Sequence, residues 1–123
     1  MTGPLNSLKI LDFSTLLPGP YASMMLADMG ADVLRVESPT RFDLVRFFPP
    51  MDGDTSASHA FLNRGKRSLA LDLKKEGAID IIKALIQEYD VVLEQFRPGV
   101  MDRLGLGYDV LSELNPSLIY CSI

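Results

Sequence analysis

Three short segments of this chain combine cations, amides and turn-forming residues in patterns suited to holding an anion. In Ser14-Thr15-Leu16-Leu17-Pro18-Gly19-Pro20 a turn opens a helix, and the free amides and dipole of a helix N-terminus accept negative charge. A purely structural turn is the alternative. Asn63-Arg64-Gly65-Lys66-Arg67-Ser68 sets Arg64, Lys66 and Arg67 just before an apolar run. Such a group either grips a phosphate or stays an ordinary solvated charge cluster. In Glu94-Gln95-Phe96-Arg97-Pro98-Gly99-Val100-Met101-Asp102-Arg103, an aromatic ring and a cation leave one element as a helix begins. Phe96 there could pack on the flat face of a base such as adenine, and Arg103 could pair with a phosphate; core packing and a surface ion pair are equally open to them.

Bond-breaking chemistry is harder to find. His59 is the single histidine, it falls in a loop-like stretch, and no Ser or Cys elbow accompanies it, so a Ser-His-Asp triad has no support. Neither G-x-G-x-x-G nor G-x-x-x-x-G-K-[ST] occurs, which argues against a nicotinamide dinucleotide or a P-loop triphosphate. Cys121 is the single cysteine and sits in the apolar run Leu118-Ile119-Tyr120-Cys121. It is expected to pack in the core, and no disulfide framework or cysteine metal site can be built from it. No metal-ligating set is identified.

Composition bounds the rest. The 123 residues are 47% hydrophobic and 23% charged, as expected of one soluble globular domain at most. A net charge of −4 argues against nucleic acid, whose phosphates demand a surplus of Lys and Arg. Locally, however, Arg64, Lys66, Arg67, Lys74 and Lys75 face only Asp72 in the segment 64–75, so an anion site on an acidic protein is compatible with the overall charge. No apolar run approaches the roughly 20 residues of a membrane helix. The opening residues also lack the basic and apolar regions of a secretory signal, so a cytoplasmic location is expected.

The elements that must position these residues alternate. Leu8 to Phe13 reads as a buried strand ending in a sharp turn, and Pro20 suits the first turn of a helix in which Ala22, Met25, Leu26 and Met29 follow at helical spacing up to a Gly30 cap. Val33 to Glu37 is a second strand, closed by Ser38-Pro39. Residues 40–58 read as a long loop with room for one helical turn. Ser68 to Leu73 is a strand, and Glu76 to Tyr89 a helix with Ala78, Ile81, Ile82, Leu85, Ile86 and Tyr89 on one stripe. Asp90 to Glu94 is again a strand, Pro98 to Leu104 a short helix stopped at Gly105, Asp109 to Leu114 a last small helix, and Leu118 to Ile123 a strand. The alternation predicts an α/β fold, a Rossmann-like parallel sheet with flanking helices. The final strand has no covering element, which suggests a piece of a larger fold. Ligands of such sheets bind at the carboxyl ends of the strands, here the turns 14–20, 38–43, 74–77 and 95–99.

Taken in order, the segments resemble the family III CoA-transferases, which include formyl-CoA and carnitine CoA-transferases, and the α-methylacyl-CoA racemases that share their fold. The resemblance rests on Leu11-Asp12-Phe13, Pro18-Gly19-Pro20-Tyr21, Leu26-Ala27-Asp28-Met29-Gly30-Ala31-Asp32-Val33, Val36-Glu37, Asn63-Arg64-Gly65-Lys66-Arg67-Ser68, Leu71-Asp72-Leu73-Lys74, Phe96-Arg97-Pro98-Gly99-Val100, Arg103-Leu104-Gly105-Leu106 and Asn115-Pro116-Ser117-Leu118-Ile119-Tyr120. It implies that residues 1–123 are the N-terminal part of a large CoA-binding Rossmann-like domain, the remainder of the fold being absent. It further implies that Leu17 and Pro18 line the CoA site, that Leu71, Asp72, Leu73 and Lys74 flank the adenosine, and that Gln95, Phe96, Arg97 and Arg103 contact the phosphates and neighbouring groups. Two positions depart from the pattern. Ser38 stands where many members carry a cation, and Gln95 where an Asn is common, a longer amide able to keep the hydrogen bond in a shifted geometry.

The implied activity is movement of CoA from an acyl-CoA thioester to a carboxylic acid, through an aspartyl-CoA intermediate formed on an aspartate outside this chain. Coenzyme A is then a substrate, no tightly bound cofactor is called for, the intact protein is an interlocked homodimer, and this segment alone is inactive. An acyl-CoA racemase, in which His and Asp exchange a proton beside the thioester carbonyl, is the alternative; the length of the 40–62 connection favours the transferase. A non-catalytic α/β nucleotide-binding module is the third reading. Its receiver form lacks an acidic pair after the first strand, and its flavodoxin-like form lacks a Ser/Thr-rich phosphate loop.

Overall fold

The structure, a computed structural model, describes residues 2–123. In chain order its elements are β1 (Lys9–Asp12), α1 (Pro18–Asp28), β2 (Asp32–Glu37), a 3-10 turn (Leu44–Phe47), the two-residue strands β3 (Met51–Asp52) and β4 (Thr55–Ser56), α2 (Ala57–Leu62), β5 (Arg67–Ala70), α3 (Ala78–Ile86), β6 (Val91–Glu94), α4 (Val100–Arg103), α5 (Tyr108–Leu114) and β7 (Ile119–Ser122). β3 and β4 pair as a small antiparallel hairpin. The other five strands form one parallel sheet in the order β5-β2-β1-β6-β7, as the alternation of strand and helix predicts. The chain builds outward from β1 to β2 and β5, then returns to lay β6 on the other side of β1. The point where the order reverses lies between β1 and β6, and there the strand-end turns diverge and leave a crevice.

A central parallel strand is buried on both faces, which is why β1 reads as a continuous apolar run. Ile10 packs toward α1 with Val33, Leu93, Ala27 and Ala31. Leu11 points the other way, into a larger cluster with Leu34, Val92, Ile82, Ile86 and Leu111. On that side α3 buries Ala78, Ile82 and Ile86 while Ile81 is left 47% exposed. The predicted stripe is therefore narrower than its six members. Asn115 closes α3 from a distance, its amide donating to the Ile86 and Tyr89 carbonyls at 2.9 and 2.7 Å.

α1 overturns part of the expectation. The stripe of Ala22, Met25, Leu26 and Met29 is not the buried face: Met25 and Met29 are exposed, and Gly19, Pro20, Ser23, Met24 and Ala27 face inward. Small residues at four-residue spacing let the helix sit close to the sheet, a preference for shape that an apolar count misses. Gly19 makes the point, since a Cβ there would run into the Ser14 side chain and come within 2.8 Å of Gln95 Oε1. Gly30, at φ 103°, ends the helix as expected. Its amide and that of Ala31 bond back to Ala27 O and Leu26 O at 2.9 and 3.1 Å, a Schellman closure.

Two further expectations change. The stretch 40–58 and the four residues after it hold the 3-10 turn, a hairpin and α2, so His59 lies on a helix. That helix starts where Ser56 Oγ accepts the His59 amide at 3.4 Å, a cap the flanking Pro, Asp and Gly obscured. Cys121 is exposed on β7, the outermost strand of the sheet, where no neighbouring strand or helix of this chain covers it.

Toward the carboxyl ends, the α1 side of the sheet turns from apolar to charged. Arg35 donates to Glu37 Oε1 at 2.8 Å and to Asp43, while Arg46 holds both Glu37 oxygens at 2.7 and 2.6 Å. Asp12 takes the Ser14 amide at 2.8 Å and the Ser14 and Ser23 hydroxyls at 2.5 Å each. Lys66 Nζ stands 3.8 Å from it and donates to Pro20 O at 2.9 Å. Burial pushes Lys66 down to about 8, against the pull of Asp12. Burial also raises Glu37, but the hydrogen bonds from Arg46 and from the Asp43 amide and the charges of Arg35 and Arg46 prevail, holding it at about 2.

Two tests follow from this packing. Ile82 is fully buried, so Ile82→Ala should cost about 2–5 kcal/mol in urea unfolding, and a smaller loss would mean that the site collapses around the deletion. Glu37 binds its proton less readily folded than unfolded, so its contribution is complete above about 4.5 and is lost as pH falls toward 2. The urea midpoint should fall through that window, and Glu37→Gln should lower the midpoint at pH 7 and flatten the acid slope; an unchanged slope assigns the acid sensitivity elsewhere.

Candidate functional site

The turn after β1 is held in place from three sides. Leu16 adopts φ 63°, a left-handed conformation costly for a residue with a branched side chain. Its amide is shared between the Asp43 oxygens at 3.1 and 3.2 Å, and Asp43 also accepts the Val45 amide at 3.1 Å and a bond from Arg35. From the β6 side, Gln95 Oε1 accepts the Gly19 amide at 3.1 Å and its Nε2 donates to Thr15 O at 2.6 Å. From below, Asp12 fixes Ser14 and Ser23. The extra methylene of Gln95 is spent on bracing this turn against β6.

Beside the turn opens a cleft of about 600 Å³ at the carboxyl ends of the strands. Phe13, Val36, Leu71, Leu73, Phe96, Val100 and Leu104 supply its apolar lining, and the segment after β2, including Ser38, Thr40, Arg41, Phe42, Asp43 and Leu44, forms one wall. Cations enter from three strand ends: Arg41 after β2, Lys74 after β5 and Arg97 after β6. None of the three has an ion-pair partner among the described residues. Of the acids on the lining, Glu37 and Asp43 are neutralised by Arg35 and Arg46, and Asp72 accepts the Lys74 amide at 3.0 Å. An apolar groove with unpaired cations at its rim suits a ligand that joins a flat or aliphatic body to phosphate groups.

Of the residues singled out in the sequence, Leu71, Asp72, Leu73, Lys74, Phe96 and Arg97 line this cleft together. Leu17 and Pro18 are exposed on the first turn of α1, with Leu16 in place of them on the lining. Gln95 is committed to the turn, and Arg103 is exposed on the last residue of α4, outside the lining. The cluster at 64–67 is not a phosphate grip. Arg64 pairs with Asp28 at 2.7 Å and lies over the Phe61 ring, Lys66 is buried beside Asp12, and Arg67 pairs with Asp32 at 2.8 Å and donates to Tyr89 Oη at 3.1 Å. Each cation serves a different acid on α1, β1 or β2, so the locally positive segment is neutralised by the fold.

Arg41 and Asp43 carried no signal in the sequence beyond their place in a strand-end turn. Ser38, with its Oγ accepting the Thr40 and Arg41 amides at 3.3 and 3.1 Å, shapes that turn instead of offering a charge. His59 is held below its ordinary value by burial and by the charges of Arg46 and Arg35. Its Nε2 is buried without a partner, as is Arg35 Nε. Among the described residues no group of His, Cys, Asp or Glu has the makings of a metal site, and no helix is long and apolar enough to cross a membrane.

Comparison with known proteins agrees with this architecture. The chain is 43% identical to an acetyl-CoA:oxalate CoA-transferase of Acetobacter aceti, over 98% of this chain and 31% of the relative. It is 47% identical to a succinyl-CoA:mesaconate CoA-transferase of Haloarcula hispanica, over 98% of this chain and 32% of the relative. The crystal structure of a CAIB/BAIF family protein from Brucella suis matches with a TM-score of 0.90 at 39% identity, covering 99% of this chain and 33% of that one. The chain thus spans about a third of the length of the proteins it matches. With the model of CoA-transferase family III matched along residues 5–123 and the same fold in a solved relative, this chain belongs to CoA-transferase family III.

Proposed function

We propose that the full-length protein moves CoA from an acyl-CoA thioester to a carboxylic acid, and that the cleft of this chain holds the nucleotide end of CoA. The observation that carries the reading is the meeting of Lys74 and Arg97, both without acidic partners, with the apolar lining of Leu71, Leu73 and Phe96 at the carboxyl ends of the strands. Phosphates would face the cations while the adenine ring covers the apolar lining, with Asp72 beside Lys74. Leu17 and Pro18 border the entrance along the first turn of α1. Gln95 acts through the turn it braces, and Arg103 serves the outer end of the nucleotide.

In this reading CoA is a substrate and no resident cofactor is needed. An aspartate carboxylate beyond residue 123 attacks the donor thioester carbonyl, giving a mixed anhydride and the CoA thiolate. The thiolate then attacks the aspartyl carbonyl, releasing the donor acid and leaving an aspartyl-CoA thioester. The acceptor carboxylate reverses the sequence and leaves as the new acyl-CoA, with the aspartate restored. The share of this chain is to anchor the nucleotide so that the thiol end is delivered to that aspartate. Residues 1–123 then form the N-terminal part of the CoA-binding domain, a segment inactive by itself. Homodimer assembly is carried by the family resemblance.

The names of the relatives point to oxalate and mesaconate as the first acceptors to try, with acetyl-CoA and succinyl-CoA as donors. The full-length protein should exchange CoA between such pairs and yield a protein-bound acyl group trapped by hydroxylamine. Loss of the C2 proton to deuterated water with no exchange of CoA between acids would replace the transferase by a racemase. Lys74→Ala and Arg97→Ala should each weaken CoA binding on the order of tenfold by calorimetry. Arg103→Ala should weaken it less, without altering the preference between acids; CoA affinity unchanged in all three variants would move the nucleotide elsewhere.

A further inference from the structure

The cations of this fold divide into two sets. Arg35, Arg46, Arg64, Lys66 and Arg67 each have an acid within ion-pair distance. Arg41 has none, although it lies in a segment dense with acids, because those acids are already used: Glu37 by Arg35 and Arg46, and Asp43 by Arg35 and the Leu16 amide. It is exposed, yet it stands on backbone fixed at both ends. Ser38 Oγ accepts the Thr40 and Arg41 amides on one side, and on the other the Asp43 amide donates to Glu37 Oε2 at 3.1 Å. Arg41 lines the same cleft as Lys74 and Arg97.

Arg41 is thus a cation on the wall of the cleft with no internal partner, and its planar fork is built for bidentate contact with phosphate. We propose that Arg41 contacts a phosphate of the bound CoA and, with Lys74 and Arg97, selects a ligand that carries more than one phosphate group. This rests on the nucleotide assignment of the cleft made above. It adds a residue that sequence pattern did not single out, on a segment whose position is set by Asp43 and Ser38. The contact is made with a part of CoA remote from the thioester, so its loss is read directly in CoA affinity.

The test uses the full-length protein as wild type, Arg41→Ala and Arg41→Lys, with CoA, 3′-dephospho-CoA and pantetheine as calorimetric probes at two salt concentrations. Arg41→Ala should weaken CoA on the order of tenfold or more, leave pantetheine unchanged, and reduce the dependence of affinity on salt, with Arg41→Lys recovering part of the loss. A loss confined to CoA assigns the 3′-phosphate and an equal loss with dephospho-CoA the pyrophosphate; either supports the proposal. The melting temperature should not move, since Arg41 has no internal side-chain partner. CoA bound as tightly by Arg41→Ala as by wild type, or an equal loss with pantetheine, overturns the role of Arg41 alone. Failure of wild type to bind CoA overturns the nucleotide reading of the cleft with it.

Discussion

Asp43 is a buried carboxylate with its bonding capacity filled by groups from three parts of the chain. It takes Arg35 from the middle of the sheet, the Leu16 amide from the turn after β1, and the Val45 amide from the 3-10 turn that it opens, while its own amide is tied to Glu37. A charge this deep survives only if paired and fully hydrogen-bonded, and removing one partner from such a set costs about 3–5 kcal/mol. The same interaction holds Leu16 at φ 63° and brings the wall after β2 against the turn after β1. Without it, the two sides of the cleft would have no fixed relation.

The other side of that turn is set by shape as much as by charge. Gly19, Ser23 and Ala27 bring α1 close to the sheet, and the space left by the missing side chain of Gly19 is where Ser14 and the Gln95 amide meet. Asp12 and Lys66 lie beneath, where Lys66 gives up water for a carbonyl, an amide oxygen and a carboxylate at 3.8 Å. A crevice at the switch point of a parallel sheet is common to many α/β proteins. Here the turn above it is tied to Asp43 on one side and to Gln95 on the other.

Charge is sorted by depth in the same region. Acids and bases that enter the α1 side of the sheet neutralise one another, so no net field arises from beneath the cleft. Among the cations without an ion-pair partner, Arg41, Lys74 and Arg97 stand at the ends of three different strands and line one opening. An acidic chain thereby gathers three unpaired cations at one opening.

By itself the sequence determined the order of the five sheet strands and of the helices outside residues 40–62, because strands buried on both faces leave short apolar runs and helices a period of 3.6, and Gly30 and Gly105 mark where helices stop. It also marked Lys74, Phe96 and Arg97, which follow strands and so arrive at the carboxyl ends whatever the strand order, whereas Leu71 to Leu73 were read as the end of a strand that in the structure stops at Ala70. Which cations are free was decided only in three dimensions. Arg64, Lys66 and Arg67 read either as a phosphate grip or as a solvated charge cluster, and their partners Asp28, Asp12 and Asp32 come from α1, β1 and β2, which the fold brings alongside. The buried face of α1, the clasp of Asp43 on Leu16 and the place of Arg41 were settled there too. Close approach and charge pairing join residues far apart in the chain, and such pairs leave no period or local motif in the sequence.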